Sequence, residues 1–120
     1  ATALQALWGA IEVHGLAHVT GGGLVENVPR MLPPRCDALL DASSWQWPAI
    51  FQWLQASGNI SMKEMLSAFN VGVGMVVAVA PEDVNRAISI LSDAGERVWP
   101  IGKVVPSAQA APVVRWENVK

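Results

Sequence analysis

The chain has 120 residues and a formal charge of −2, the length of one domain with no electrostatic attraction for nucleic acid or an anionic membrane. Apolar residues make up 52% and charged residues only 15%, against roughly a quarter charged in an ordinary soluble domain. So little charge predicts surface that another domain or subunit covers. Cys36 is the single cysteine, which excludes an internal disulfide and a cysteine metal cluster and suits a reducing cytoplasm. No apolar run approaches the roughly 18 residues of a membrane span.

Leu4, Leu7, Trp8 and Ile11 recur at helical spacing and predict an amphipathic first helix, carrying His14 and ending at Gly15. The opening residues lack the basic region of a signal segment, and their helical stripe suggests a chain that starts within a longer protein. Residues 16–20 read as a short buried strand, and residues 24–31 as a helical turn or two, shortened by Pro29. Residues 36–41 predict a second strand. Pro48 suits the start of a helix to Ala56, with Trp47, Ile50, Phe51 and Leu54 on one face. Trp45 and Trp53 fall off that face and would mark an interface.

Ser61 and Glu64 have capping-box spacing, followed by Met62, Met65, Leu66 and Phe69 as a buried stripe. Residues 71–79, nearly all apolar and β-branched, predict a central strand covered on both faces. Pro81, Glu82 and Asp83 open the next helix, striped by Val84, Ala87, Ile88 and Leu91 and ended by Gly95. Residues 98–105 predict a strand with Pro100 at an edge or bulge, and residues 113–116 a last edge strand. Helices interleaved with strands imply an α/β (α+β) fold, a layered α/β sandwich around a mixed sheet. The glycines lack dinucleotide-binding spacing, and no P-loop lysine follows them.

The chemistry concentrates in His18-Val19-Thr20-Gly21-Gly22-Gly23-Leu24-Val25-Glu26-Asn27-Val28-Pro29-Arg30. Three glycines let a ligand approach the backbone, whose N–H groups can meet a phosphate or an oxyanion; a plain strand-to-helix turn is the alternative. Thr20 either donates its hydroxyl to a ligand or caps the turn. His18 sits at the strand end, where a ligand contact and a structural hydrogen bond are equally compatible. Glu26 suits a helix's first turn and also a substrate or metal contact. Asn27 suits a sugar hydroxyl or an amide. Arg30 either neutralises a phosphate or pairs with Glu26 four residues back. Asn70, Gly72 and Gly74 form a second constellation, explained by close approach of a ligand or by helix packing. The carboxylates are dispersed, and no residue set for a metal or for a covalent nucleophile stands out.

HVTGGGLVENVPRMLP and the later FNVGVGM, with DASSWQWP and FQWL between them, resemble aminoimidazole ribonucleotide synthetase (phosphoribosylformylglycinamidine cyclo-ligase) along nearly the whole chain. The resemblance is to the C-terminal part of that longer enzyme. It implies a single C-terminal domain over residues 1–120, α/β/α and partly ferredoxin-like, incomplete at its start. The ATP-binding N-terminal domain would lie outside the chain. It implies a cytoplasmic, homodimeric ligase of purine biosynthesis, with formylglycinamidine ribonucleotide as substrate. ATP and Mg²⁺ would be held mainly by the absent domain. In the implied reaction the formyl amide oxygen is phosphorylated, an amidine nitrogen closes the imidazole ring, and ADP and phosphate leave. His18, Thr20, Gly21, Gly22, Gly23, Glu26, Asn27, Arg30, Asn70, Gly72 and Gly74 would bind substrate or phosphate. The chain alone would give no turnover. Formylglycinamidine synthetase, selenophosphate synthetase, thiamin-phosphate kinase and a hydrogenase-maturation protein share the architecture. A stand-alone phosphosugar-binding module without catalysis is the alternative of another class.

Overall fold

In the computed structural model, which describes residues 2–119, helices alternate with strands in an α+β fold. Helix α1 (Thr2–Trp8) leads to strand β1 (Val13–His18). Helix α2 (Gly23–Asn27) continues as a 3₁₀ turn, Val28–Met31, because Pro29 has no N–H to extend the α-helix. Strand β2 (Cys36–Asp41) precedes helices α3 (Ala49–Gly58) and α4 (Met62–Ala68). Strand β3 (Met75–Val79) is followed by the 3₁₀ turn Pro81–Asp83 and helix α5 (Val84–Asp93), then by β4 (Gly102–Pro106) and β5 (Val114–Glu117).

Two sheets form. One is a β1-β3 pair; the other is three-stranded, in the order β4-β2-β5. The latter is mixed, since β2 pairs antiparallel with β4 and parallel with β5. Leu40 lies opposite Gly102 on one side and Trp116 on the other. A strand parallel to β2 must be reached by crossing over an end of it. Residues 107–113 do so at Arg35, which accepts from the Ser107 N–H at 2.8 Å and donates to the Ala110 carbonyl at 3.1 Å. Buried Asp37 closes this crossover: its Oδ1 accepts the Val113 N–H at 3.0 Å, and its Oδ2 lies 3.3 Å from Arg115 Nε.

The chain divides into two compact units, one of residues up to Leu16 with Val77–Pro100, the other of Ala17–Val76 with residues from Ile101 onward. In the first, α1 packs on α5, and Leu7, Ile11 and Ala87 are buried with Val13, Val77, Val79, Ile90 and Leu91 around them. In the second, Ala42, Trp47, Met65, Leu66 and Val71 form the core, flanked by Trp45, Phe51, Leu54, Phe69 and Trp116. Ser61 Oγ accepts the Glu64 N–H at 3.1 Å, the bond that the capping-box spacing predicts for α4.

Several expectations need correction. The first helix stops at Trp8, and β1 starts at Val13, so Gly15 and His14 lie in a strand rather than on a helix. Trp8 of the predicted stripe is 53% exposed, whereas Leu7 and Ile11 are buried. Ile50, placed on the buried face of α3, is 57% exposed. The apolar run from Val71 is a strand only from Met75: Val71 and Gly72 turn, Val73 and Gly74 lead into the strand, and β3 has β1 as its only sheet neighbour among the described residues. Positive φ at Val71 and Gly72 breaks the run before a ladder can form. Residues 98–101 likewise precede β4, the strand beginning after Pro100. Trp45 is half-buried and packs at the edge of the second unit's core, beside Trp116. Trp53, 61% exposed, stays at the surface.

Candidate functional site

Both glycine segments lie in the second unit, and the backbone ties them together. The Val19 N–H donates to the Gly74 carbonyl at 3.0 Å, setting the residues after β1 beside those before β3. Gly23 packs so tightly that a Cβ there would sit 2.5 Å from the Phe69 carbonyl oxygen and 2.8 Å from that of Leu66, at the end of α4. Its φ of +63° is also one that glycine alone takes freely.

The polar side chains of the first segment are mostly engaged with one another. Asn27, only 5% exposed, donates from Nδ2 to the Gly23 carbonyl at 2.7 Å and accepts from Thr20 Oγ1 at 3.2 Å. Thr20 thus does not cap α2, whose N-cap is Gly22; it helps Asn27 hold the loop closed from within. The Gly23 N–H is taken up by the Thr20 carbonyl at 3.0 Å. Glu26 folds back along Gly22 and pairs with Arg30 at 2.9 Å; both side chains are exposed, and a pair so solvated adds little stability. Of the two alternatives for Arg30, the pair with Glu26 is the one formed here. His18 is exposed at the end of β1.

In the second segment Asn70 Oδ1 accepts the Gly72 N–H at 2.9 Å, and its carbonyl accepts that of Val73 at 2.9 Å. Gly72 is demanded by packing, since a Cβ there would lie 2.5 Å from Pro48 Cδ. Gly21 and Gly74 are different. Neither has positive φ, both are exposed, and nothing lies within 4 Å of where a Cβ would stand. The fold itself gives no reason for glycine at these two positions, whose segments the Val19–Gly74 bond places side by side.

Residues 1–115 match the family described as AIR synthase related protein, C-terminal domain. The chain belongs to this family.

Family membership is consistent with the α+β architecture. Among the described residues no group of three or more His, Cys, Asp or Glu side chains is placed to hold a metal ion. The residues here do not by themselves fit Mg²⁺, and no step below is assigned to a metal on them. No helix among them is long and apolar enough to cross a membrane.

Two tertiary contacts, the first of them in the site's frame, have only weak signals in the sequence. Trp45 Nε1 donates to the Val71 carbonyl at 3.0 Å, a contact signalled only by a tryptophan that falls off the α3 stripe. Asp37 was one dispersed carboxylate among several, though a charge inside the apolar strand run CDALLD signals a buried partner. Asp41, at the other end of β2, is held below its ordinary pKa of 3.8 by the Ser43 hydroxyl at 2.6 Å, then by Asn118 Nδ2 and the Ser43 N–H, both at 2.9 Å. A carboxylate depressed on folding stabilises the native state above its unfolded pKa, and this contribution fades as pH falls through the lower folded value. Asp41→Asn is therefore expected to flatten the acid limb of stability below about pH 5. Urea midpoints of wild type and variant against pH check this, and parallel curves would refute it.

Proposed function

We propose that this chain is the C-terminal portion of an ATP-dependent cyclo-ligase that converts formylglycinamidine ribonucleotide to aminoimidazole ribonucleotide in purine biosynthesis. Family membership supports the enzyme class, and the matching HVTGGGLVENVPR and FNVGVGM segments favour this member over its relatives. The observation that carries the assignment to these residues is the pair of open glycines, Gly21 and Gly74, on adjoined segments. Glycine kept where the fold does not need it leaves room for a ligand or another backbone to come close.

Substrate binding here is positional chemistry. Thr20 and Asn27 shape the loop from inside, so that the backbone at Gly21 meets the substrate without rearrangement. Arg30, exposed and restrained only by Glu26, is free to turn its guanidinium to a phosphate when one arrives. His18 and Asn70 border the two segments and orient polar groups of the substrate. Mg²⁺–ATP, which a further N-terminal domain would hold, would supply the phosphoryl group that activates the formyl amide oxygen. That domain and a second subunit are the proposed partners, in a cytoplasmic enzyme.

Calorimetric titration with formylglycinamidine ribonucleotide tests the assignment. Gly21→Val is the informative variant, since nothing lies within 4 Å of its Cβ among the described residues, whereas Gly22 has a φ of +91° that strains any side chain placed there. Wild type is expected to bind, and the variant to keep its urea midpoint while its affinity falls at least about tenfold, or about 1.4 kcal/mol. Equal affinities would remove substrate from this loop.

A further inference from the structure

Val71 is the conformational outlier of the site. Its β-branched side chain is wholly buried, yet its φ is +45°, a region where the valine Cβ crowds its own backbone. Such a conformation persists only where the surroundings over-determine it. Two constraints do so here. The side chain is locked in the core with Met65, Leu66 and Trp47, and the carbonyl accepts the indole N–H of Trp45 at 3.0 Å. Trp45 comes from the loop after β2, 26 residues earlier in the chain, and is itself braced by Trp116 at 6.5 Å between ring centroids. The contact is tertiary, not a by-product of the local turn.

We propose that Trp45 is a positioning residue for the substrate site: its indole N–H pins the Val71 peptide and so holds the strained Asn70-to-Gly74 segment that sets the Gly74 carbonyl against Val19, at the edge of the glycine loop. The proposal rests on the assignment of the two glycine segments to substrate. Without the N–H, the peptide that follows Val71 relaxes toward the extended region. Gly72, whose N–H is held by Asn70, then moves with it, and the Gly74 carbonyl no longer meets Val19 squarely.

Trp45→Phe in the 120-residue chain keeps an aromatic ring against Trp116 but has no N–H to donate. Amide exchange at Gly72 and Val73 is expected to quicken about tenfold relative to the amides of β2, the effect of losing one well-made hydrogen bond. Affinity for formylglycinamidine ribonucleotide is expected to fall about tenfold, with urea unfolding still cooperative. Adding Val71→Gly should restore the affinity, because glycine adopts the same φ without strain and needs no latch. A purely structural Trp45 would instead lower the urea midpoint and leave the affinity and the relative exchange of Gly72 and Val73 unchanged. That result overturns the proposal. If the wild-type chain binds no substrate, the substrate assignment fails separately, and the exchange at Gly72 and Val73 decides whether the latch exists: quickened supports it, unchanged overturns it. Should the double variant not fold, the single variant decides by the same two readouts.

Discussion

Gly23→Ala is expected to destabilise the chain by about 3 kcal/mol, as the sum of left-handed strain and a steric clash. The added methyl would meet the carbonyl oxygens of Phe69 and Leu66, which are backbone atoms and cannot rotate away as a side chain would. Helices α2 and α4 would have to separate, and Leu24 and Leu66, both fully buried, would lose packing. Gly21→Ala, with nothing within 4 Å of the new methyl, should stay within about 0.5 kcal/mol of wild type. Urea denaturation of the two variants side by side makes the comparison. A loss below about 1 kcal/mol at Gly23 would show that the contact with α4 is loose. Two adjacent-looking glycines thus differ in purpose: one is required by the fold, the other is left free by it.

Asp37→Ala is the second large effect, at about 3 kcal/mol. The cost comes chiefly from the Val113 N–H, which loses its acceptor where the crossover turns into β5. The ion pair itself contributes less, because the Arg115 side chain is 52% exposed and returns to water when released. Arg115→Ala should therefore cost no more than about 1 kcal/mol, and Asp37→Asn, which keeps an acceptor for Val113, should fall between the two. Limited proteolysis would report the same order, with cleavage in residues 107–113 fastest for Asp37→Ala. Equal losses for Asp37→Ala and Arg115→Ala would assign the stability to the charge pair instead.

The local elements were legible wherever a residue's own chemistry determines its backbone. Strand β2 spans residues 36–41 as its apolar run predicts, and Ser61 caps α4 as its spacing to Glu64 predicts. Pro29 and Pro81 each shift the helix beside them into a 3₁₀ turn. Misreadings arose where apolar composition was taken for continuous structure. Residues 71–79 look like one buried strand, but Val71 and Gly72 turn, because Asn70 captures the Gly72 N–H and Trp45 captures the Val71 carbonyl. Ile50 completes the α3 stripe in sequence yet faces outward, since helical periodicity marks a face without saying whether anything packs on it.

The site divides along the same line. Sequence alone located both glycine segments, the polar residues around them and the family they resemble, because runs of glycine beside polar residues are visible in a string of letters. Which glycine serves the fold and which leaves a face open was not legible there. A side chain at Gly22, Gly23 or Gly72 would meet Glu26, α4 or Pro48, whereas a Cβ at Gly21 or Gly74 would have nothing within 4 Å among the described residues, and these contacts join residues up to 46 positions apart. Whether Thr20 caps or braces, and whether Asp37 is isolated or clamps a crossover, were likewise decided by contacts the sequence does not show. Sequence reports what each residue is able to do; only packing determines which partner comes within hydrogen-bonding distance.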